Sequence, residues 1–393
     1  MIDLRSCLCE HINFCDGCSG AEAGFPINQR LFSIIHLCIM YSRGYLFMNA
    51  KKKYEIRKYL PKTHMGYGLL AIIPVLVLIS LTLGRFPIYP LDVYTILLSK
   101  VTPLTHSFPS TLETVVINIR LPRIGAALLV GAALSVAGAS YQGMFRNPLV
   151  SPDILGVSAG ATLGASIAII YSGNPVLIQT LAFAGGLLAV GATWGISRIY
   201  KSDSTLILVL AGIIVGTVFN AFVMLCKTIA DPLNKLPEIV SWTMGSLARS
   251  NWGHVTSVAP AIILGILFLL IIRWRINILA LGEEEATALG MDTKVLGGLI
   301  ILAATIITAA AVSISGSIGW VGLVIPHLAR MLVGPEYSKM LPVSAVMGAS
   351  FLLLVDDVAR TLLSMEIPLG ILTALIGAPF FAYLLTRKKV GWS

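Results

Sequence analysis

The chain has 393 residues, of which 56% are hydrophobic and only 12% charged. Soluble globular domains carry about 25% charged residues, so this composition excludes an ordinary water-covered surface and points to an integral membrane protein. The formal net charge of +9 is not accompanied by a basic, aromatic-interleaved patch, which argues against a nucleic-acid partner.

Residues 1–47 fit no span. The apolar run from Leu31 to Tyr41 has 11 residues, and a helix crossing the hydrocarbon core needs roughly 20. As a signal peptide the run starts too late, and cleavage would strand Lys51–Lys53 on the wrong side. Four cysteines (Cys7, Cys9, Cys15, Cys18) crowd this stretch with His11 among them, while Cys38 and Cys226 stand apart. Two readings stay open. Either the stretch is disordered or mis-started, with Met48 opening a conventional-looking start, or the paired cysteines hold a metal. No second, distant Cys/His pair supports the metal, so no metal ligand or cofactor is assigned. A disulfide framework belongs to small secreted domains. Residues 48–65 form a basic segment.

Ten apolar spans follow, at about 66–84, 113–141, 154–171, 176–198, 205–226, 255–272, 295–314, 320–334, 341–363 and 367–386. The predicted fold class is therefore all-α, a polytopic membrane domain over 66–388 surrounded by lipid. The eighth span is short and contains Pro326, which predicts a broken or tilted helix. With the segment around Lys51 inside, ten spans leave both termini cytoplasmic. Seventeen lysines and arginines then lie inside and eight outside, with three more in residues 1–47, in keeping with the positive-inside rule. The net charge is explained as topology anchoring.

No G-x-x-x-x-G-K-[ST] loop occurs, so any ATP would be hydrolysed on another subunit. No Ser/His/Asp or paired-carboxylate constellation stands out, and no catalytic residue is assigned. His327 follows Pro326 in an apolar stretch and reads as a hydrogen-bonded structural residue. Intramembrane ionisable groups remain functional suspects all the same.

Three long motifs remain. Residues 120–156 include Arg-Leu-Pro-Arg at 120–123, Leu-Val-Gly-Ala-Ala-Leu-Ser-Val-Ala-Gly-Ala at 129–139, Gln142-Gly143, and Asn-Pro-Leu-Val-Ser-Pro-Asp-Ile-Leu-Gly at 147–156. Residues 316–334 read Gly-Ser-Ile-Gly-Trp-Val-Gly-Leu-Val-Ile-Pro-His-Leu-Ala-Arg-Met-Leu-Val-Gly, and 366–381 read Glu-Ile-Pro-Leu-Gly-Ile-Leu-Thr-Ala-Leu-Ile-Gly-Ala-Pro-Phe-Phe. Together, in this order, they resemble the permease subunits of iron-siderophore, haem and vitamin B12 ABC importers. The resemblance covers about 66–388. It implies a type II importer fold of ten helices per subunit, a homodimer or paired permease, cytoplasmic ATP-binding subunits and an extracytoplasmic substrate-binding protein. It also implies alternating access in the cell membrane, with a ferric siderophore first among the substrates, then haem or cobalamin, then an oxyanion such as molybdate.

The same residues read physically as follows. Gly131, Gly138, Gly156, Gly160 and Gly164 make small-residue rows that allow close helix approach. Pro148 biases Asn147 away from helix, so a helix should end there. The resemblance makes Asn147 and Leu149 one half of a cytoplasmic gate and Ser204 and Thr205 the other, against ordinary turn and N-cap chemistry. Arg120, Arg123 and Arg360 lie at outer ends of spans, against the positive-inside tendency. The resemblance makes them docking points for binding-protein glutamates; the alternative is internal pairing, for instance of Asp356 with Arg360 at i, i+4. The loop 276–294, with Leu281, Gly282, Glu283, Ala286, Leu289 and Gly290, reads alone as a short polar helix with one packed and one wet face. The resemblance makes it the element that inserts into the ATPase subunit. The main rival, a proton-coupled secondary transporter, would want midplane Asp, Glu or His relays. Asp356 and Asp357, the acidic pair inside a span, sit near its outer end.

Overall fold

The computed structural model describes residues 62–100, 109–199 and 205–386, with side chains from 71 to 384. Residues 1–61, including the cysteine-rich stretch and most of the basic segment, lie outside the described residues, as does Ser204.

Every described regular element is helical. In chain order they are α1 (Lys62–Thr82), α2 (Pro90–Ser99), α3 (Ser110–Met144), α4 (Val157–Tyr171), α5 (Pro175–Ile199), α6 (Thr205–Ile229) and α7 (Lys235–Met244). There follow α8 (Trp252–Ile271), α9 (Arg273–Leu279), α10 (Glu283–Ala288), α11 (Thr293–Ser315), α12 (Val321–Val333), α13 (Tyr337–Thr361) and α14 (Leu369–Thr386). Each of the ten expected spans coincides with one of these helices. Six of them (α3, α5, α6, α8, α11, α13) are long and apolar enough to cross a membrane on their own, and α1, α4, α12 and α14 hold shorter apolar stretches. The chain is a multi-pass membrane protein.

Helix α3 is the axis. It packs against α13, α11, α12 and α8, and is the most deeply buried of the long apolar helices. α4 pairs closely with α5 and α6, and a second small core joins α4, α5 and α7 to Val312. The small residues explain the closeness. A Cβ on Gly138 would overlap the carbonyl of Gly322 on α12, and one on Gly164 would overlap that of Leu181 on α5. In lipid, where no hydrophobic force drives helices together, such backbone-to-backbone contact is what holds them.

The first 35-residue helix of the core is not uniform. Val115–Arg120 runs as a π-helix, which frees a backbone carbonyl from the α-helical ladder. The Trp252 indole N–H donates to the Ile117 carbonyl at 2.8 Å and satisfies it.

Several ends follow local rules. Asn251 caps α8 by accepting from His254 N–H, and Asp292 caps α11 by accepting from Lys294 and Val295 N–H. After α6, the exposed Asp231 accepts from the Asn234 side chain at 2.7 Å and from Leu233 and Asn234 N–H, and those bonds hold its carboxyl below the usual range. The two short helices α2 and α7 were not anticipated. Pro90 at the first position and Asp92 in the first turn were the available start signals for α2.

The eighth span is short, as expected, but it is not broken: Pro326 sits within a continuous 13-residue helix, α12. The missing length is taken up by the non-helical turn 316–320. Trp320 there has φ +70, a conformation a bulky residue adopts only when its surroundings impose it. Its ring fills the space over Gly377 and lies 6.2 Å from Phe381.

Candidate functional site: two polar ends of one helix

The described polar chemistry concentrates at the two ends of α3. At its N-terminal end lie the three arginines, and all are buried, with 4% exposure for Arg120, 8% for Arg123 and 5% for Arg360. Arg123 is held by two carboxylates. Its Nε and Nη2 donate to Asp356 at 2.9–3.1 Å, and its Nη1 and Nη2 donate to Glu366 at 3.0 Å. Asp356 is fully buried, whereas the Glu366 side chain is 31% exposed. Arg360 donates to the carbonyl and hydroxyl of Ser80 on α1 at 2.7 and 2.6 Å, and pairs with Asp357. Ser80 in turn donates to Asp357 at 2.7 Å. Arg120 donates to the carbonyls of Leu81 and Phe86.

These contacts tie α1, α3, α13 and the turn after α13 into one charged cluster. Sequence reading offered the arginines either to an external partner or to internal pairing, and internal pairs are made here. The suggested pair is not the main one. Asp356 accepts its hydrogen bonds from Arg123, and the Nε of Arg360 stands 4.0 Å from it, with no hydrogen bond of its own. Arg360 bonds instead to the next residue, Asp357, at i, i+3.

At the C-terminal end of α3 the helix stops at Met144, and Arg146 takes φ +50. The Asn147 side chain accepts from Leu149 N–H at 2.9 Å, which closes the corner as an Asx turn. Arg146, Asn147 and Leu149 are exposed, with Leu149 at 48%. The corner therefore displays an apolar side chain. Of the second half of the expected gate, Thr205 is half-buried at the first position of α6.

The same end carries the polar loop. α9 packs on α13 and α3, and α10 on α9 and α11. Ala286 is completely buried, and Glu283, Glu284 and Glu285 are exposed, which gives the expected packed and wet faces. Leu281 and Leu289 differ from the simple amphipathic picture, because they stand 67% and 64% exposed on either side of α10. Gly290 has φ +79 and open space around it, so the turn after α10 relies on the left-handed freedom of glycine. Sequence reading missed a third feature of this end: Arg330, Tyr337 and Gln142 meet here, and no spacing in the sequence announces it.

An open cavity of about 480 Å³ lies between α7, the 316–320 turn and α14. Met244, Trp320, Ile371 and Leu375 line it with Thr243 and Ser317, without a charged group. His327 is buried beside Phe380 and Phe381, its ring centroid 6.4 and 6.0 Å from theirs.

Comparison with known proteins agrees with this architecture. Residues 71–387 match the model of the FecCD transport family. The molybdate import system permease protein of Haemophilus influenzae is 42% identical over 327 residues, covering 83% of this chain and 96% of its own. An iron chelatin transport system permease protein of Helicobacter pylori is 42% identical over 71% of this chain and 85% of its own. The hemin transport system permease protein of Yersinia pestis is 39% identical over 70% and 83%. A solved structure described as an inward-facing ABC transporter of metal-chelate type superposes with a TM-score of 0.74 at 39% identity, covering 83% of this chain and 99% of that one. Ten helical spans, close-packed on a small-residue axis with a polar corner at one end and buried arginines at the other, are the structural form of a shared sequence, and the chain belongs to the FecCD transport family.

Proposed function

We propose that the chain is the permease subunit of a binding-protein-dependent ABC importer. It works as a homodimer by alternating access, and separate cytoplasmic subunits hydrolyse the ATP. The observation that carries this reading is the pairing, at one end of the bundle, of two exposed leucines on the 281–290 segment with the exposed Asn147–Leu149 corner. It occurs in a chain similar over 83% of its length to an import permease. Leu281, Gly282, Glu283, Ala286, Leu289 and Gly290 form the seat for the ATPase subunit. An exposed apolar side chain beside a charged rim is the composition of a partner surface. Asn147 and Leu149, with Ser204 and Thr205, form the cytoplasmic gate. The lysine and arginine bias supports placing this end, and both termini, in the cytoplasm.

The arginine end then faces the binding protein. Arg120 and Arg360 act there by holding α1 against α3 and α13. Arg123 is the one member that an external carboxylate reaches by a small change, because its Glu366 partner lies at the rim. The acidic pair Asp356 and Asp357 is committed to arginines rather than strung along a pathway, which argues against the proton-coupled alternative.

An iron chelate is the substrate this reading favours, ferric siderophore first and haem next, with the cobalt chelate cobalamin as a related alternative. The lining of the cavity beside Trp320 carries no charge, which suits a ligand that presents an uncharged face. Molybdate is a second reading, favoured by the 42% identity to a molybdate permease over 96% of that protein. The test is uptake of radiolabelled ferric chelates and molybdate by proteoliposomes holding the chain with its ATPase subunit and binding protein. ATP-dependent uptake of a chelate is expected. Uptake driven by a proton gradient without the ATPase would overturn the importer reading, and uptake of molybdate alone would overturn the substrate.

A further inference from the structure

The two ends of α3 hold their arginines in opposite ways. Arg123 is fixed by two carboxylates. Arg330, on α12 at the other end, makes no ion pair among the described residues. Its Nη2 donates to the Tyr337 hydroxyl at 3.1 Å and to Gln142 Oε1 at 3.5 Å, and its buried Nε has no hydrogen-bond partner. Its guanidinium carbon lies 5.9 Å from the Tyr337 ring centroid.

These contacts belong to a longer chain. The Tyr337 backbone N–H donates to Asn277 Oδ1 at 2.5 Å, and Asn277 Nδ2 donates to Ser338 Oγ at 2.8 Å. Asn277 sits on α9, the element that carries α10. At the far side, Gln142 is 1% exposed, and its Nε2 donates to the carbonyls of Val150 and Leu323 at 3.4 and 3.5 Å. Val150 closes the corner that begins at Arg146. Beside Gln142, a Cβ on Gly143 would lie 2.6 Å from Ile276 and 3.0 Å from the Tyr337 ring, so the last turn of α3 rests directly on α9 and α13.

We propose that Arg330 is a positioning residue that joins the partner-facing 273–290 segment to the Asn147–Leu149 corner through Asn277, Tyr337 and Gln142. The inference rests on the importer reading above. The physical argument is the type of bond. A buried ion pair is costly to break, because one charge is stranded. A cation held by neutral oxygens, at lengths of 3.1–3.5 Å, exchanges partners at smaller cost, because no opposite charge is stranded when one bond breaks. The buried pairs to Asp356 and Asp357 are built to stay, and the gate end is built to shift. A displacement of α9 by the ATPase subunit pulls on Tyr337, and Arg330 passes the shift to Gln142 and the corner. A contiguous chain of this kind gains the status of a coupling path only by a coupling measurement.

The test uses the full chain in complex with its ATPase subunit, in membranes. Leu149→Cys, in a full chain whose six native cysteines are replaced by serine, is labelled with a membrane-impermeant maleimide from the ATPase side, with and without trapping by ATP and vanadate. Nucleotide is expected to change the labelling rate. In Arg330→Met that dependence is expected to be lost while the complex still hydrolyses ATP, and Arg330→Lys is expected to restore part of it. Lysine keeps the charge without the fork that reaches two acceptors. Tyr337→Phe deletes one hydroxyl and spares assembly, and it should weaken the nucleotide effect in the same direction. Retention of the full effect in both Arg330→Met and Tyr337→Phe would overturn the relay. If nucleotide leaves Leu149→Cys labelling unchanged in the otherwise parental complex, the gate reading itself fails and takes the relay with it.

Discussion

Replacing Arg123 with Met tests how the buried arginine cluster is built. The side chain makes five hydrogen bonds of 2.9–3.1 Å to two carboxylates. Its removal affects those carboxylates unequally. Glu366, with 31% of its side chain exposed, can turn to water, but Asp356 is fully buried and keeps only the distant Nε of Arg360 at 4.0 Å. Stranding one partner of a buried pair costs about 3–5 kcal/mol. The Lys100–Glu113 pair is the control, because its side chains are 54% and 44% exposed, and exposed pairs contribute about 0–1 kcal/mol. Unfolding of the detergent-solubilised chain, followed by tryptophan fluorescence against denaturant, should therefore show a large loss for Arg123→Met and almost none for Lys100→Met. Combining Arg123→Met with Asp356→Leu should recover most of the loss, since an apolar replacement of a whole buried pair is often neutral. Equal stability of Arg123→Met and Lys100→Met, or a double variant worse than the single, would refute the reasoning.

Glu366→Gln should leave stability nearly unchanged, because Arg123 keeps Asp356, and it should tighten binding of the loaded binding protein in a salt-dependent way. Unchanged or weaker binding by fluorescence titration would mean that docking does not use Arg123. Leu281→Asp combined with Leu289→Asp should weaken the affinity for the ATPase subunit by at least tenfold, because burying one leucine is worth about 1.5–3 kcal/mol; co-purification at increasing dilution measures it. Gly138→Val should destabilise the bundle by about 1–3 kcal/mol or more through overlap with the Gly322 carbonyl. Gly298→Ala, where nothing lies within 4 Å, should be neutral or slightly stabilising in the same unfolding assay.

What the sequence determined by itself was the set of properties that a short stretch of chain carries. Ten apolar segments became helices because in a membrane a single long apolar segment satisfies its own backbone hydrogen bonds only as a helix. Pro148 ended α3, and Asn147 closed the turn with its own side chain. Ala286 faced inward and its neighbouring glutamates outward because their spacing matches a helix. The glycine rows of α3 and α4 became contact lines, although the facing carbonyls of Gly322 and Leu181 were not legible.

Partnerships between residues far apart in the chain were not legible before the helices packed. Arg123 and Asp356 are 233 residues apart, and no local pattern says that α13 lies against α3. From sequence, an arginine at a span's outer end looks exposed, and here a neighbouring helix covers it. The π-helical turn at Val115–Arg120 was equally hidden, because its spare carbonyl is satisfied by Trp252, 135 residues away. Gln142, Arg330, Tyr337 and Asn277 come from four helices. A hydrogen bond acts over about 3 Å, so their chain exists only once α3, α9, α12 and α13 have packed and brought those atoms into reach.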